Sequence, residues 1–163
     1  TSSGEEAYTL AMIYLEKLKP RFPALDLEVI GTDISPSVLE TARKGVYREY
    51  SMRSTPKLYA DRYFESGDGR HAVCEEVRRL ARFDHLNLFD QRQMRQMMGF
   101  DIIFCCNVLI YFDAKSKMQV VSNLYDSLNK GGYLFIGYAE SLHGVSSAFT
   151  LLNFPKAVAY RKE

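Results

Sequence analysis

The sequence predicts an α/β domain built on a mostly parallel sheet, and three observations carry that reading. Short apolar runs rich in strand formers alternate with stretches of helical periodicity, the signature of βαβ units. The first such run ends on Asp33 and is followed by Ser35-Pro36, an N-cap with proline at the first helical position. The chain closes on two extended runs, 149–154 and 157–160, separated by Pro155, the pattern of an antiparallel hairpin at a sheet edge.

The elements follow in order. Ser3 is expected to cap a first helix, with Glu6 completing a capping box, and the helix should run to about Leu18 before Lys19-Pro20 and Pro23 break it. Residues 27–32 form a strand. A helix after Ser35 turns Val38, Leu39 and Ala42 to the core and stops at Gly45. The polar stretch 66–84, punctuated by Val73, Val77, Leu80 and Phe83, reads as a small subdomain. The run 82–88 leads to a rim loop, and Phe100–Cys105 is a buried strand. Residues 107–112 are irregular or one helical turn, and 114–129 are helical with a stripe of Met118, Val121, Leu124 and Leu128. Gly131-Gly132 is expected to end that helix ahead of a strand at 133–138.

Length and composition bound the function. The 163 residues suit one domain, and 47% apolar with 25% charged residues excludes disordered, collagen-like and disulfide-dense classes. Twenty-one basic against 20 acidic residues give a net charge of +1, too even for a surface that tracks nucleic-acid phosphates or a polybasic membrane patch. No apolar run is long enough to span a membrane and no signal peptide opens the chain, so a cytoplasmic protein is expected. Three cysteines, two of them adjacent at Cys105 and Cys106, suit a reducing compartment. Successive strand residues face opposite ways, so that pair is not a chelate, and no metal site is expected.

In open α/β sheets ligands sit at the carboxyl ends of strands. Asp33 stands at such an end, as a ribose acceptor or as an ordinary turn aspartate. Ser2-Ser3-Gly4 is either a close-approach loop at a helix start or a plain cap. Glu5 and Glu6 would repel a phosphate at that position, and neither GxGxxG nor GxxxxGK[ST] occurs. A nucleoside with a positive rather than phosphorylated tail satisfies both facts. Asn107 follows the strand ending at Cys105, as a ligand contact or a turn cap, and Asn87-Leu88 precedes Asp90 on a third loop. Arg78, Arg79 and Arg82 are a solvated face or a contact for an acidic partner.

Taken together, Ser3-Gly4-Glu5-Glu6-Ala7-Tyr8, Gly31-Thr32-Asp33-Ile34-Ser35, Asn87-Leu88, the run from Phe100 to Phe112, Gly131-Gly132-Tyr133-Leu134-Phe135-Ile136-Gly137 and Glu140-Ser141-Leu142 resemble the CheR-type chemotaxis receptor methyltransferases. The resemblance covers essentially the whole chain, 1–163. It implies a class I, Rossmann-like S-adenosylmethionine-dependent methyltransferase domain carrying an inserted antiparallel subdomain at 66–84. The family's first central strand and N-terminal helical domain would precede Thr1, so this chain is expected to be a fragment or to receive a strand from elsewhere.

The implied reaction moves a methyl group from S-adenosylmethionine to the side-chain carboxylate of glutamates in a chemoreceptor cytoplasmic domain, leaving S-adenosylhomocysteine. By the same resemblance Glu5 contacts the methionine amino group, Asp33 the ribose, and Asn87 with Leu88 the adenosine. Cys106 and Asn107 lie beside the cofactor, where the family has arginine and asparagine, and Tyr111 lies at the acceptor end. These residues are expected to converge on one rim. The alternative is a methyltransferase-like binding module that holds the nucleoside or a protein partner without turnover.

Overall fold

In a computed structural model of the protein, residues 1–155 and 157–163 are described, and they divide into two units, Thr1–Leu86 and Asn87–Glu163.

The first unit opens with α1 (Glu5–Ile13), continued by a π-helical segment, Tyr14–Leu18, so the helix ends where the prolines require. Its start differs from the expected capping box. Gly4 is the N-cap at φ 92° with no side-chain cap, and the Ser3 hydroxyl donates instead to the Glu5 carboxylate at 2.7 Å. A left-handed residue at this point turns the chain sharply, so Gly4 displaces Ser3 from the capping position.

β1 (Val29–Asp33) leads to α2 (Pro36–Lys44), with Ser35 at the N-cap and Gly45 at φ 59° closing the helix, as the sequence requires. Then come β2 (Val46–Arg48), α3 (Glu49–Met52), α4 (Lys57–Tyr63), β3 (Phe64–Gly67), β4 (Arg70–Val73), α5 (Glu75–Arg78) and β5 (Ala81–His85). β5 pairs parallel with β1, Asp33 opposite His85. β2, β4 and β3 form an antiparallel sheet in that order, and its hairpin turns through Asp68 and Gly69, both at positive φ. Antiparallel pairing therefore occupies 46–73, because the residues just past Gly45 join β4, while residues 81–85 belong to the parallel pair.

The core of this unit is aromatic. Tyr8 meets Phe83 edge to face at 5.3 Å and Tyr47 at 6.4 Å, with Leu39, Ala42, Tyr63 and Val77 packed around them. Each buried hydroxyl finds an acceptor: Tyr8 donates to the Ala42 carbonyl, Tyr47 to that of Ser3, both at 2.8 Å, and Tyr63 to the Glu16 carboxylate at 2.8 Å. Burial pushes the Tyr47 and Tyr63 hydroxyls well above their ordinary pKa, so both stay protonated donors.

The second unit contains α6 (Gln91–Met94), β6 (Phe100–Cys105), a 3₁₀ turn at Leu109–Tyr111, α7 (Ala114–Ser127), β7 (Leu128–Ile136), β8 (Phe149–Phe154) and β9 (Ala157–Lys162). Asp90 and Asp113 cap α6 and α7 by accepting backbone N–H bonds. The sheet order is β6-β7-β9-β8; β6 and β7 are parallel, and the C-terminal hairpin is antiparallel as expected. Two details differ from the sequence reading. Met118 is 53% exposed, and the buried face of α7 is Val120, Val121, Leu124 and Ser127. The helix also ends before Gly131-Gly132, which lie inside β7, because the Lys162 ammonium donates to the carbonyls of Tyr125 and Leu128 at 2.8 Å each and satisfies the helix terminus without glycine. Gly132 is needed for a different reason: a Cβ there would stand 2.9 Å from the Asn129 carbonyl oxygen and 3.0 Å from that of Asp101, where the β6–β7 register shifts.

Candidate functional site

In the first unit, the loop that starts α1 and the end of β1 are joined through Asp33. One carboxylate oxygen accepts the Ser2 N–H at 2.9 Å and the other the Ser35 N–H at 3.0 Å. Burial works to raise the Asp33 pKa, but these backbone donors outweigh it and hold the carboxyl below its usual range. The Thr1 nitrogen also lies 3.5 Å from Oδ2, so of the about four lone-pair sites of an ionised carboxylate three are engaged and one stays open on Oδ1. Glu5, exposed on the first turn of α1, accepts from Ser3 at 2.7 Å and from Ser51 at 3.5 Å. Asp33 and Glu5 are thus tied to the same short segment, residues 2–5.

Gly4 sets that segment's path. A Cβ at this residue would fall 2.9 Å from the Ala42 Cβ and 3.1 Å from the Phe83 ring, at a φ that side chains rarely adopt. We expect Gly4→Ala to destabilise the protein by about 2–3 kcal/mol, measured by urea unfolding, through overpacking and backbone strain together.

In the second unit, the chain leaving β6 passes through Cys106 and then Asn107, which adopts a left-handed φ of 58°. Cys106 is half-buried and its thiol approaches the Phe135 carbonyl at 4.0 Å. The Asn107 N–H donates to Glu140 Oε2 at 2.8 Å, the Gly137 N–H donates to the same oxygen at 2.7 Å, and Ile110 N–H reaches Glu140 Oε1 at 3.2 Å. One carboxylate therefore fastens the loops beyond two adjacent parallel strands. Leu109, 1% exposed, anchors the 3₁₀ turn, while Tyr111 is 82% exposed.

Asn87 and Leu88 lie on a separate loop. The Asn87 side-chain oxygen accepts from the Phe89 N–H at 3.0 Å, and the Leu88 carbonyl accepts from the Asn123 amide of α7 at 2.8 Å. The turn-capping alternative for Asn87 is thus occupied by its Oδ1, leaving the NH₂ as its available donor.

Sequence reasoning missed Glu140 and Gly137 as parts of the rim. Both stand in the motifs that carry the family resemblance, but a carboxylate that serves backbone donors follows no spacing rule, so neither received a role.

Among the described residues no group of three or more His, Cys, Asp or Glu could hold a metal ion, and no helix is long and apolar enough to cross a membrane. In the first unit the carboxylates of Asp33 and Glu5, with no basic side chain within the 2–5 segment, suit a cationic ligand; in the second unit Asn87 and Asn107 carry neutral amides.

Solved structures with this fold include a protein of echinomycin biosynthesis, with TM-score 0.56 and 15% identity over 99% of this chain and 72% of that one. They also include the N-methyltransferase NodS from Bradyrhizobium japonicum in complex with S-adenosyl-L-homocysteine, with TM-score 0.53 and 15% identity over 93% of this chain and 73% of that one. The fold is that of the class I methyltransferases, as the resemblance implied. The family profile described as CheR methyltransferase, SAM binding domain, matches residues 1–158, and the chain belongs to that family. It is 35% identical to chemotaxis protein methyltransferase 2 of Vibrio cholerae, over 99% of this chain and 56% of that protein. It is 39% identical to the chemotaxis protein methyltransferase of Vibrio parahaemolyticus, over 99% of this chain and 59% of that protein. The chain therefore spans a little over half the length of these relatives.

Proposed function

We propose that this chain is the cofactor-binding part of a cytoplasmic enzyme that transfers a methyl group from S-adenosylmethionine to glutamate carboxylates of a chemoreceptor cytoplasmic domain, with S-adenosylhomocysteine as the second product. The observation that carries the reading is Asp33: a carboxylate at a strand end, kept ionised by backbone donors and with an acceptor site open on Oδ1, in a chain of this family. Asp33 takes the ribose hydroxyls and Glu5 the ammonium of the methionine moiety. Asn87 and Leu88 hold the adenosine, and Asn107 with Cys106 lines the pocket near the transferred group. Tyr111 presents its hydroxyl to the acceptor.

The cofactor, when bound, supplies a methyl group on a positively charged sulfur. A glutamate side chain is ionised at neutral pH, so the acceptor needs no general base. The protein's work is positioning: fixing nucleoside and acceptor in line and excluding water from between them. Neutral amides and carboxylates, without a paired acid and base, suit that task.

Calorimetry with S-adenosylhomocysteine tests the binding, and transfer of labelled methyl from S-adenosylmethionine to a receptor cytoplasmic domain tests the reaction. Saturable 1:1 binding with transfer is the expected result; absence of both overturns the reading. A second reading, a module that binds without turnover, is favoured by Cys106. There a thiol directed at the Phe135 carbonyl replaces the arginine of the resembling family and its five donors. Binding without transfer would select that reading.

A further inference from the structure

A concave cavity of about 380 Å³ in the first unit contains none of the proposed cofactor ligands. Arg43, Arg78, Arg79 and Arg82 line it, against a single acid, Glu75, over a floor that includes Tyr8 and Phe83. The entire chain carries a net charge of only +1, so this lining holds a strong local excess of positive charge.

The ion pairs divide the four arginines into two classes. Arg79 is paired with Glu75 at 2.9 Å, and Arg82 with both Glu28 and Asp84. Arg43 and Arg78 have no carboxylate within salt-bridge distance among the described residues. Arg43 places Nε and Nη2 on the Phe83 carbonyl at 3.2 and 2.7 Å, and Arg78 places Nη2 on the Arg43 carbonyl at 3.3 Å. Arg78 also bonds the Tyr8 hydroxyl; each guanidinium has five N–H donors, so these contacts leave donors over on both. Three different elements, α2, α5 and β5, bring the arginines to one concavity.

We propose that this cavity is a docking site for a carboxylate-rich peptide segment, held by Arg43 and Arg78 with Arg79 at its edge. Charge complementarity selects the occupant. The guanidiniums are spread along an open cavity, which suits several carboxylates on an extended chain better than one compact dianion, and each planar fork matches a carboxylate bidentately. The further identification of that segment as part of the glutamate-bearing protein substrate rests on the function proposed above. As an exposed electrostatic contact it would act chiefly on association rate and be sensitive to salt.

The test is a fluorescence-anisotropy titration of the 163-residue chain with a labelled octapeptide of alternating Glu and Ala, beside its Gln-for-Glu counterpart and inorganic pyrophosphate as competitor. The expected result is saturable binding of the Glu peptide alone, weakened at least about tenfold from low to physiological ionic strength. Arg78→Glu should weaken it at least about tenfold at low salt. Arg43 also caps a core strand, so the milder Arg78→Gln with Arg79→Gln supplies a variant that leaves that cap alone. Equal binding of the Gln peptide, no change in either Arg78 variant, or saturable pyrophosphate binding without peptide binding would each overturn the proposal. S-adenosylhomocysteine calorimetry on the same samples keeps the two readings apart: lost cofactor binding with intact peptide binding sinks the first and leaves this one standing.

Discussion

Glu140→Ala is expected to lower affinity for S-adenosylhomocysteine by at least about tenfold and to reduce stability by about 2–4 kcal/mol, from the loss of charge-assisted acceptors for several backbone donors. The side chain holds the N–H groups of Asn107, Gly137 and Ile110, and no other acceptor in the described rim replaces it. Asn107 is the residue most exposed to the loss, because its left-handed backbone persists only while its surroundings fix it. Glu140→Gln should recover little, since the amide keeps one oxygen and turns an NH₂ toward N–H donors. Gly137→Ala reaches the same cluster from the other side: its Cβ would stand 2.6 Å from Asn107 Oδ1 and 2.7 Å from Glu140 Oε2. Calorimetry and urea unfolding on the three variants check this. Unchanged affinity in Glu140→Ala would show that the Asn107 loop holds its shape unaided.

The second large effect concerns Asp33. Asp33→Asn preserves size but removes the charge and half the acceptor capacity, and should weaken S-adenosylhomocysteine binding at least about tenfold, the loss of a charge-assisted bond to the ribose. The same residue gives stability a pH dependence of definite sign. Its folded pKa lies below the unfolded value, so its contribution is present above about pH 4, where the unfolded carboxyl is ionised, and disappears as pH falls through the folded pKa. Wild type should therefore exceed Asp33→Asn in Tm at pH 7, and the two should converge toward pH 3. Calorimetric scans across that range decide it; a gap that widens on acidification would contradict the assignment. Because the side chain is partly exposed, solvent screens this contribution and the neutral-pH gap should amount to a few degrees.

Where function was legible in the sequence, it was legible because local chemistry decided it. Pro36 in the first turn and left-handed Gly45 bound α2 by local rules, although the Ser35 hydroxyl makes no cap bond, and Pro155 marked the closing hairpin. The fold class followed from such punctuation. The failures were long-range. Ser3 met every requirement of a capping box, yet contact of Gly4 with Ala42 and Phe83 selected another helix start. Met118 kept the right spacing for a buried stripe, but tertiary packing rotated the buried face to Val120 and Val121. Asp33 and Asn107 could be proposed from their places after strands. The clamp around Glu140 could not, because two of its three partners lie about 30 positions away and all are backbone groups with no residue-type signal.

Lys162 gives the end of β9 a role beyond closing a strand. Its ammonium is the terminal fastening of α7, bridging the carbonyls of Tyr125 and Leu128 from the far end of β9. Amides in the last turn of that helix and in the outer hairpin should thus exchange with deuterium as one cooperative block. Lys162→Ala should release both at once.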